Sequence, residues 1–357
     1  MTAPGSRHYV SPHEVTAGWS AAAGDRVVRV VVDAAGGDNA PAEVVRGALQ
    51  AAGPDIHIVF VGDQATVRSL LPADAAHVSI VHAADVIGYD EEPAWAARNK
   101  TGSSIVVGLK LVHEGEADAF VSAGNTGAVV AGSLLYVRRI KGVQRPAICT
   151  IMPCMPIPIA FLDVGANAEY QPEHLRQFAV MGQAFAREVM GIPEPVVGLL
   201  SIGEEPTKGT PDVIEAHRLI AADGHIRFYG NVEGRDIMNR VVDVVVTDGF
   251  TGNVALKTIE GSARGILGAL RQTIDLSAKT KLGGLLLRRD LLRLKHALDP
   301  NEFGGAILAG VSAPVIIAHG SSTARGIAQA VRMGRRAVVS ELLPSISAEL
   351  GAQAPTV

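Results

Sequence analysis

Two kinds of hydrophobic spacing alternate along the chain. Short runs rich in Val, Ile and Ala, closed by Gly, Asp or Ser, recur at 27–32, 57–61, 78–81, 119–122, 147–152, 159–162, 196–202, 241–247 and 315–318. Apolar at nearly every position, they predict strands buried on both faces, as parallel strands are. Between them apolar residues fall at helical intervals, and helices are expected over 103–114, 172–190 and 253–272. Short buried strands alternating with helices predict an α/β domain with a mainly parallel sheet. Residues 1–24 are small, polar and aperiodic and are expected to form a flexible tail, with one domain over 25–357.

Composition narrows this picture. With 48% hydrophobic and 19% charged residues in 357, there is ample apolar surface for a large core. Aromatic residues are only 4%, so Ala, Val, Leu and Ile must build it. A net charge of -4 argues against nucleic acid as a partner. The N-terminus lacks the apolar core of a signal peptide. The nearest approach to a spanning segment, 146–162, is broken by Pro146, Pro153, Pro156 and Pro158. A soluble cytoplasmic protein is expected. Cys149 and Cys154, with no His or acid between them, suggest neither a disulfide framework nor a metal site.

Candidate chemistry sits where the strands end. Six polar, Gly-rich loops follow predicted strands: 33–38 (DAAGGD), 122–127 (SAGNTG), 163–167 (DVGAN), 202–209 (IGEEPTKG), 248–253 (DGFTGN) and 319–322 (HGSS). Glycine lets backbone N–H groups turn toward a ligand, which suits phosphate or carboxylate. A plain strand-to-helix turn explains any one of them. Six together favour a shared anion site. Nucleotide and nucleophile motifs are missing: there is no G-x-G-x-x-G after a strand and no G-x-S-x-G elbow. In 203–209 the Lys and Gly stand in the wrong order for a P-loop.

Taken in order, these loops, the fifth continuing as the run Asp248–Lys257, with Lys100, Ser103, Ser104 and Gly304-Gly305-Ala306, resemble the bacterial phosphate acyltransferase (PlsX) family from about residue 27 to 337. Ala35 stands where that family usually has Met. The resemblance implies a three-layer α/β/α fold like that of phosphotransacetylases and isocitrate or isopropylmalate dehydrogenases. It implies acyl transfer from acyl carrier protein to inorganic phosphate, without a cofactor, for phospholipid synthesis. It also implies a homodimer at the inner face of the membrane, with a downstream glycerol-3-phosphate acyltransferase as a candidate partner. On the matching positions, Lys208 and Asn253 are the expected catalytic pair. Asn125, Thr126, Gly127, Gly203, Gly252, His319, Ser321 and Ser322 are expected to bind phosphate or substrate. Asp33, Asp38, Asp163 and Asp248 are expected to be structural. A phosphotransacetylase acting on short acyl-CoA and a membrane scaffold without activity remain open at this point.

Residues 276–298 carry six Lys or Arg against one acid, Asp290, and place Leu287, Leu291, Leu294 and Leu298 at helical spacing. This reads as a basic amphipathic helix, packed in a core or lying on a bilayer. The resemblance favours membrane docking through Leu287, Leu291 and Leu294. A second basic run, Arg138, Arg139 and Lys141 with Arg145, is a candidate landing surface for the acidic carrier protein.

Overall fold

The computed structural model describes residues 26–154 and 157–351; the expected tail at 1–24 lies outside them. In chain order the elements are β1 (Val28–Asp33), α1 (Ala42–Ala51), β2 (Ile56–Gly62), α2 (Gln64–Leu70), β3 (Val78–His82), α3 (Pro93–Asn99), α4 (Ser104–His113), β4 (Ala119–Ser122) and α5 (Thr126–Gly132). Then come β5 (Ala147–Met152), β6 (Ile159–Leu162), α6 (Pro172–Glu188), β7 (Val197–Leu200), α7 (Pro211–Ala222), β8 (Phe228–Val232), α8 (Gly234–Asn239) and β9 (Val244–Val246). The chain closes with α9 (Gly249–Asp275), α10 (Ala278–Ala297), β10 (Ala306–Ala309), β11 (Val315–Ile317), α11 (Ala324–Val339) and α12 (Leu342–Gly351).

The strands form one sheet in the order β3-β2-β1-β4-β11-β10-β5-β6-β9-β7-β8. Alternation along each strand feeds two cores. Val28, Val30 and Val32 face Val44 and Val45 of α1 and Ile327 and Val331 of α11, in the core that α6 also joins through Phe178 and Phe185. Val31 and Phe120 face the opposite way, into a core built with Ile105, Val106 and Leu109 of α4 and Val129 of α5. Helices therefore cover both faces, and the molecule is a three-layer α/β/α structure.

Strand direction sets where function can sit. Pairing is parallel from β3 through β2, β1 and β4 to β11, and again from β6 through β9 and β7 to β8. Between them β10 is antiparallel to both β11 and β5, and β5 is antiparallel to β6. The two parallel halves thus run in opposite directions. The loops after β1, β4 and β11 gather at one edge of the sheet, while those after β6, β7 and β9 gather at the other. Six loops do not converge on one point; the seam along β10 and β5 lies between two sets of three.

Helix α9, at 1.5 Å per residue, reaches about 40 Å and crosses that seam. Its start is pinned: Asp248 accepts the N–H of Thr251 at 2.9 Å, and Gly249 and Gly252 are buried. Ser277 caps α10 by accepting the N–H of Thr280 at 3.2 Å. A Cβ on Gly284 would stand 2.5 Å from Ile274, so glycine there lets the two helices close into a hairpin. Among the described residues, no helix is long and apolar enough to cross a membrane.

Candidate active site

At the first edge, three loops are laced together by main-chain and carboxylate contacts. Asp33 accepts the Ser122 hydroxyl at 2.7 Å and the N–H of Ala35 at 3.1 Å. The N–H of Asp38 donates to the Gly320 carbonyl at 2.8 Å. Asn125 caps α5: its Oδ1 accepts the N–H of Ala128 at 3.0 Å, and its Nδ2 donates to Gly88 O at 2.9 Å. Both ends of its amide are therefore spent on holding the loop, leaving Thr126 and Gly127 to face outward.

At the opposite edge Asp163 organises the turn after β6. Its Oδ1 accepts the N–H groups of Ile148, Gly165 and Ala166, and its Oδ2 accepts the N–H and Nδ2 of Asn167. Burial pushes its pKa up, and those donors act against the shift. The start of α9 comes down on this turn so closely that a Cβ on Gly252 would sit 1.9 Å from the Asp163 carbonyl oxygen. Glycine at 252 is what lets Asn253, the next residue, stand beside Gly165.

A cavity of about 760 Å³ joins the two edges. Its floor is the sheet face at the seam, with Ile148, Thr150, Met152, Ala306 and Ile317; its roof is α9. The polar lining consists mainly of Thr126, Asn253, Lys257, Glu260 and His319, with Gly127 and Gly320. Farther along α9 and α10 the lining turns apolar, through Ile266, Leu267, Leu270, Leu294 and Leu298. From Asn253 to Leu270 the helix advances about 25 Å, so a charged head and a long hydrocarbon tail fit in one trough.

His319 sits at the meeting of these surfaces. Its Nδ1 is 2.8 Å from Ser321 Oγ and 3.1 Å from the N–H of Ser321, and its Nε2 is 3.4 Å from Lys257 Nζ. Partial desolvation, then the Lys257 cation, hold its pKa below the usual imidazole value. Lys257 also meets Glu260 Oε2 at 2.9 Å.

Asn253, Thr126, Gly127 and His319 are thus brought to one cavity. Ser321 stands one step back, behind His319, and buried Ser322 donates its N–H to the His319 carbonyl. Asn125 and Gly252 support the two loops. Lys208 and Gly203, expected in the same site as Asn253, are not among the residues that line this cavity. The loop after β7 lies three strands from β5 and folds on itself: the N–H of Lys208 donates to Glu205 O at 3.0 Å, and Ser201 Oγ donates to the Lys208 carbonyl at 2.9 Å.

The leucine stripe of α10 also divides. Leu294 and Leu298 line the cavity, Leu291 is half-buried, and Leu287 is exposed beside Leu282, Leu285 and Leu286. Lys257 closes the 248–257 run that carries the family resemblance, but the sequence assigned it no role. Its signal was the four-residue step from Asn253, which puts both on one face of a helix. Cys149 and Cys154 are buried, and burial pushes the Cys154 thiol up to about 12 and that of Cys149 higher still, so neither supplies a thiolate nucleophile.

The fold class is that of the phosphotransacetylases. EutD phosphotransacetylase from Staphylococcus aureus superposes with a TM-score of 0.61 at 16% identity, covering 92% of this chain and 99% of that one. A phosphotransacetylase from Streptococcus pyogenes gives 0.62 at 18% identity with the same coverage. Within that fold, the chain belongs to the fatty acid synthesis protein family, whose model matches residues 28–343. It is 46% identical over 326 residues to a phosphate acyltransferase of Geobacillus thermodenitrificans, covering 90% of this chain and 99% of that protein. It is 44% identical over 329 residues to a phosphate acyltransferase of Streptococcus pneumoniae, covering 91% and 99%.

Proposed function

We propose that this protein is a phosphate acyltransferase that moves a fatty acyl group from the thioester of acyl carrier protein to inorganic phosphate. The observation that carries this reading is the trough itself, polar over the first turns of α9 and apolar for the remainder. Relatives at 44–46% identity bear the name phosphate acyltransferase. In the reaction a phosphate oxygen attacks the thioester carbonyl, the C–S bond breaks, and the thiolate leaves with the bonding pair. A thiolate is a fair leaving group, so the protein chiefly balances charge and fixes approach geometry.

In this reading Asn253 donates to the developing oxyanion, and Thr126 and His319 contact the substrates at the polar end. Lys208 is exposed on a loop at the same edge as Asn253, and its contribution would be charge delivered from outside the cavity. The chain works as a homodimer, and the α9–α10 hairpin rests on the membrane surface, where an acyl phosphate with a long tail would leave. Carrier protein lands on a basic surface, with Arg138, Arg139, Lys141 and Arg145 as the candidate patch.

Mass spectrometry of products formed from phosphate and long-chain acyl carrier protein tests the reading. Acyl phosphate is expected, with Asn253→Ala reducing its formation roughly a hundredfold, the loss typical of one oxyanion donor. Normal turnover in Lys208→Ala would take Lys208 out of the site. Faster turnover of acetyl-CoA than of the long-chain thioester would favour a phosphotransacetylase instead.

A further inference from the structure

We propose that Lys257 and His319 form a two-donor clamp for inorganic phosphate, with Ser321 as the positioning residue that sets it; this rests on the phosphate acyltransferase reading above. A backbone N–H can only donate, so the Ser321 N–H, 3.1 Å from His319 Nδ1, identifies Nδ1 as the nitrogen that accepts. In the neutral ring the proton is then on Nε2. Nε2 stands 3.4 Å from Lys257 Nζ, so two N–H donors face each other. Such a pair repels until an oxygen accepts from both, and a tetrahedral oxyanion offers that oxygen with others to spare.

The charges around the pair fit this use. Lys257 spends one of its three N–H groups on Glu260 at 2.9 Å and keeps two. Lys257 and Arg264 from α9 disfavour a charged His319 ring, while Glu260 and Asp38 favour it; desolvation decides for the neutral form. The ring is then a donor of fixed direction, and Lys257 supplies the positive charge as a compact point. Asn253 lies one helical turn from Lys257 and lines the same cavity, which places the thioester carbonyl next to the held phosphate.

Steady-state kinetics with phosphate and long-chain acyl carrier protein varied independently tests the clamp. Lys257→Ala is expected to raise the KM for phosphate roughly ten- to hundredfold, the range one charge-assisted hydrogen bond supplies, while the KM for the acyl donor stays within about twofold. Lys257→Arg is expected to restore most of that loss. Ser321→Ala is expected to raise the phosphate KM and move the acid limb of the pH profile, since the ring loses the hydroxyl that holds it. An unchanged phosphate KM in Lys257→Ala, or equal loss for both substrates, overturns the clamp. If Lys257→Ala unfolds, Lys257→Met is measured in its place. Direct titration of inorganic phosphate separates the two claims. Phosphate binding that Lys257→Ala abolishes, in a wild type that makes no acyl phosphate, keeps the clamp and overturns the reaction; a wild type that binds no phosphate overturns the clamp.

Discussion

Asp163 accepts four hydrogen bonds from the turn it opens and a fifth from Ile148 of β5, and the start of α9 rests on its carbonyl. A carboxylate suits this place because both oxygens accept. Asn in its place would turn an NH₂ group toward at least two N–H donors. Asp163→Asn is therefore expected to cost about 3 kcal/mol, at the upper end for buried groups left without partners. Gly252→Ala should cost a comparable amount, because its methyl would lie 1.9 Å from a carbonyl oxygen and α9 must lift away. Urea denaturation of both variants checks this, and in Gly252→Ala activity should fall further than stability because Asn253 moves with the helix. The structural role expected for Asp163 was legible because a strand-ending Asp before Gly is a turn signal. Lys257 was not, because a lysine inside a helix reads as a solvated face until the helix is known to roof a cavity.

At the scale of elements, caps and strand ends decide how well the scaffold holds its loops. Helix α6 begins with a reciprocal cap in which the Gln171 N–H donates to His174 Nδ1 at 3.1 Å. Burial, and then Arg145, hold the His174 pKa below the ordinary imidazole value; His57 and His319 are shifted the same way, burial first. As pH falls below about 6.5 the unfolded chain takes up these protons before the folded one does. Stability therefore rises with pH across that window and is lost as pH drops through it. A falling Tm between pH 7.5 and 5.5 is expected, with a shallower fall in His174→Gln. Strand reading from the sequence succeeded where runs were continuous: 119–122, 147–152 and 159–162 match β4, β5 and β6. It missed β8, which Gly230 interrupts at φ +120, and β10, four residues between glycines at positive φ. Losing β10 hid the reversal of strand direction, and with it the separation of the loop bearing Lys208 from the loops bearing Thr126 and His319.

At the scale of the whole molecule, the α9–α10 hairpin presents two different faces. Leu294 and Leu298 turn inward to line the trough, whereas Leu276 and Leu286 are 78% and 77% exposed at the far end. Lys279, Lys281, Arg288 and Arg289 flank those exposed leucines. Apolar side chains ringed by bases suit a bilayer interface carrying anionic lipid, where a buried leucine contributes about 2 kcal/mol and each base about 1 kcal/mol. The two faces can be separated by charge. Leu286→Glu is expected to lower flotation with anionic vesicles roughly tenfold or more, while acyl phosphate formation in solution continues. Leu294→Glu, which puts a carboxylate in the trough, should bind vesicles as the wild type does and lose turnover on long-chain thioesters. Equal flotation of Leu286→Glu and wild type would instead assign the exposed leucines to a partner subunit, and the mass of the protein in solution would then decide between one copy and two.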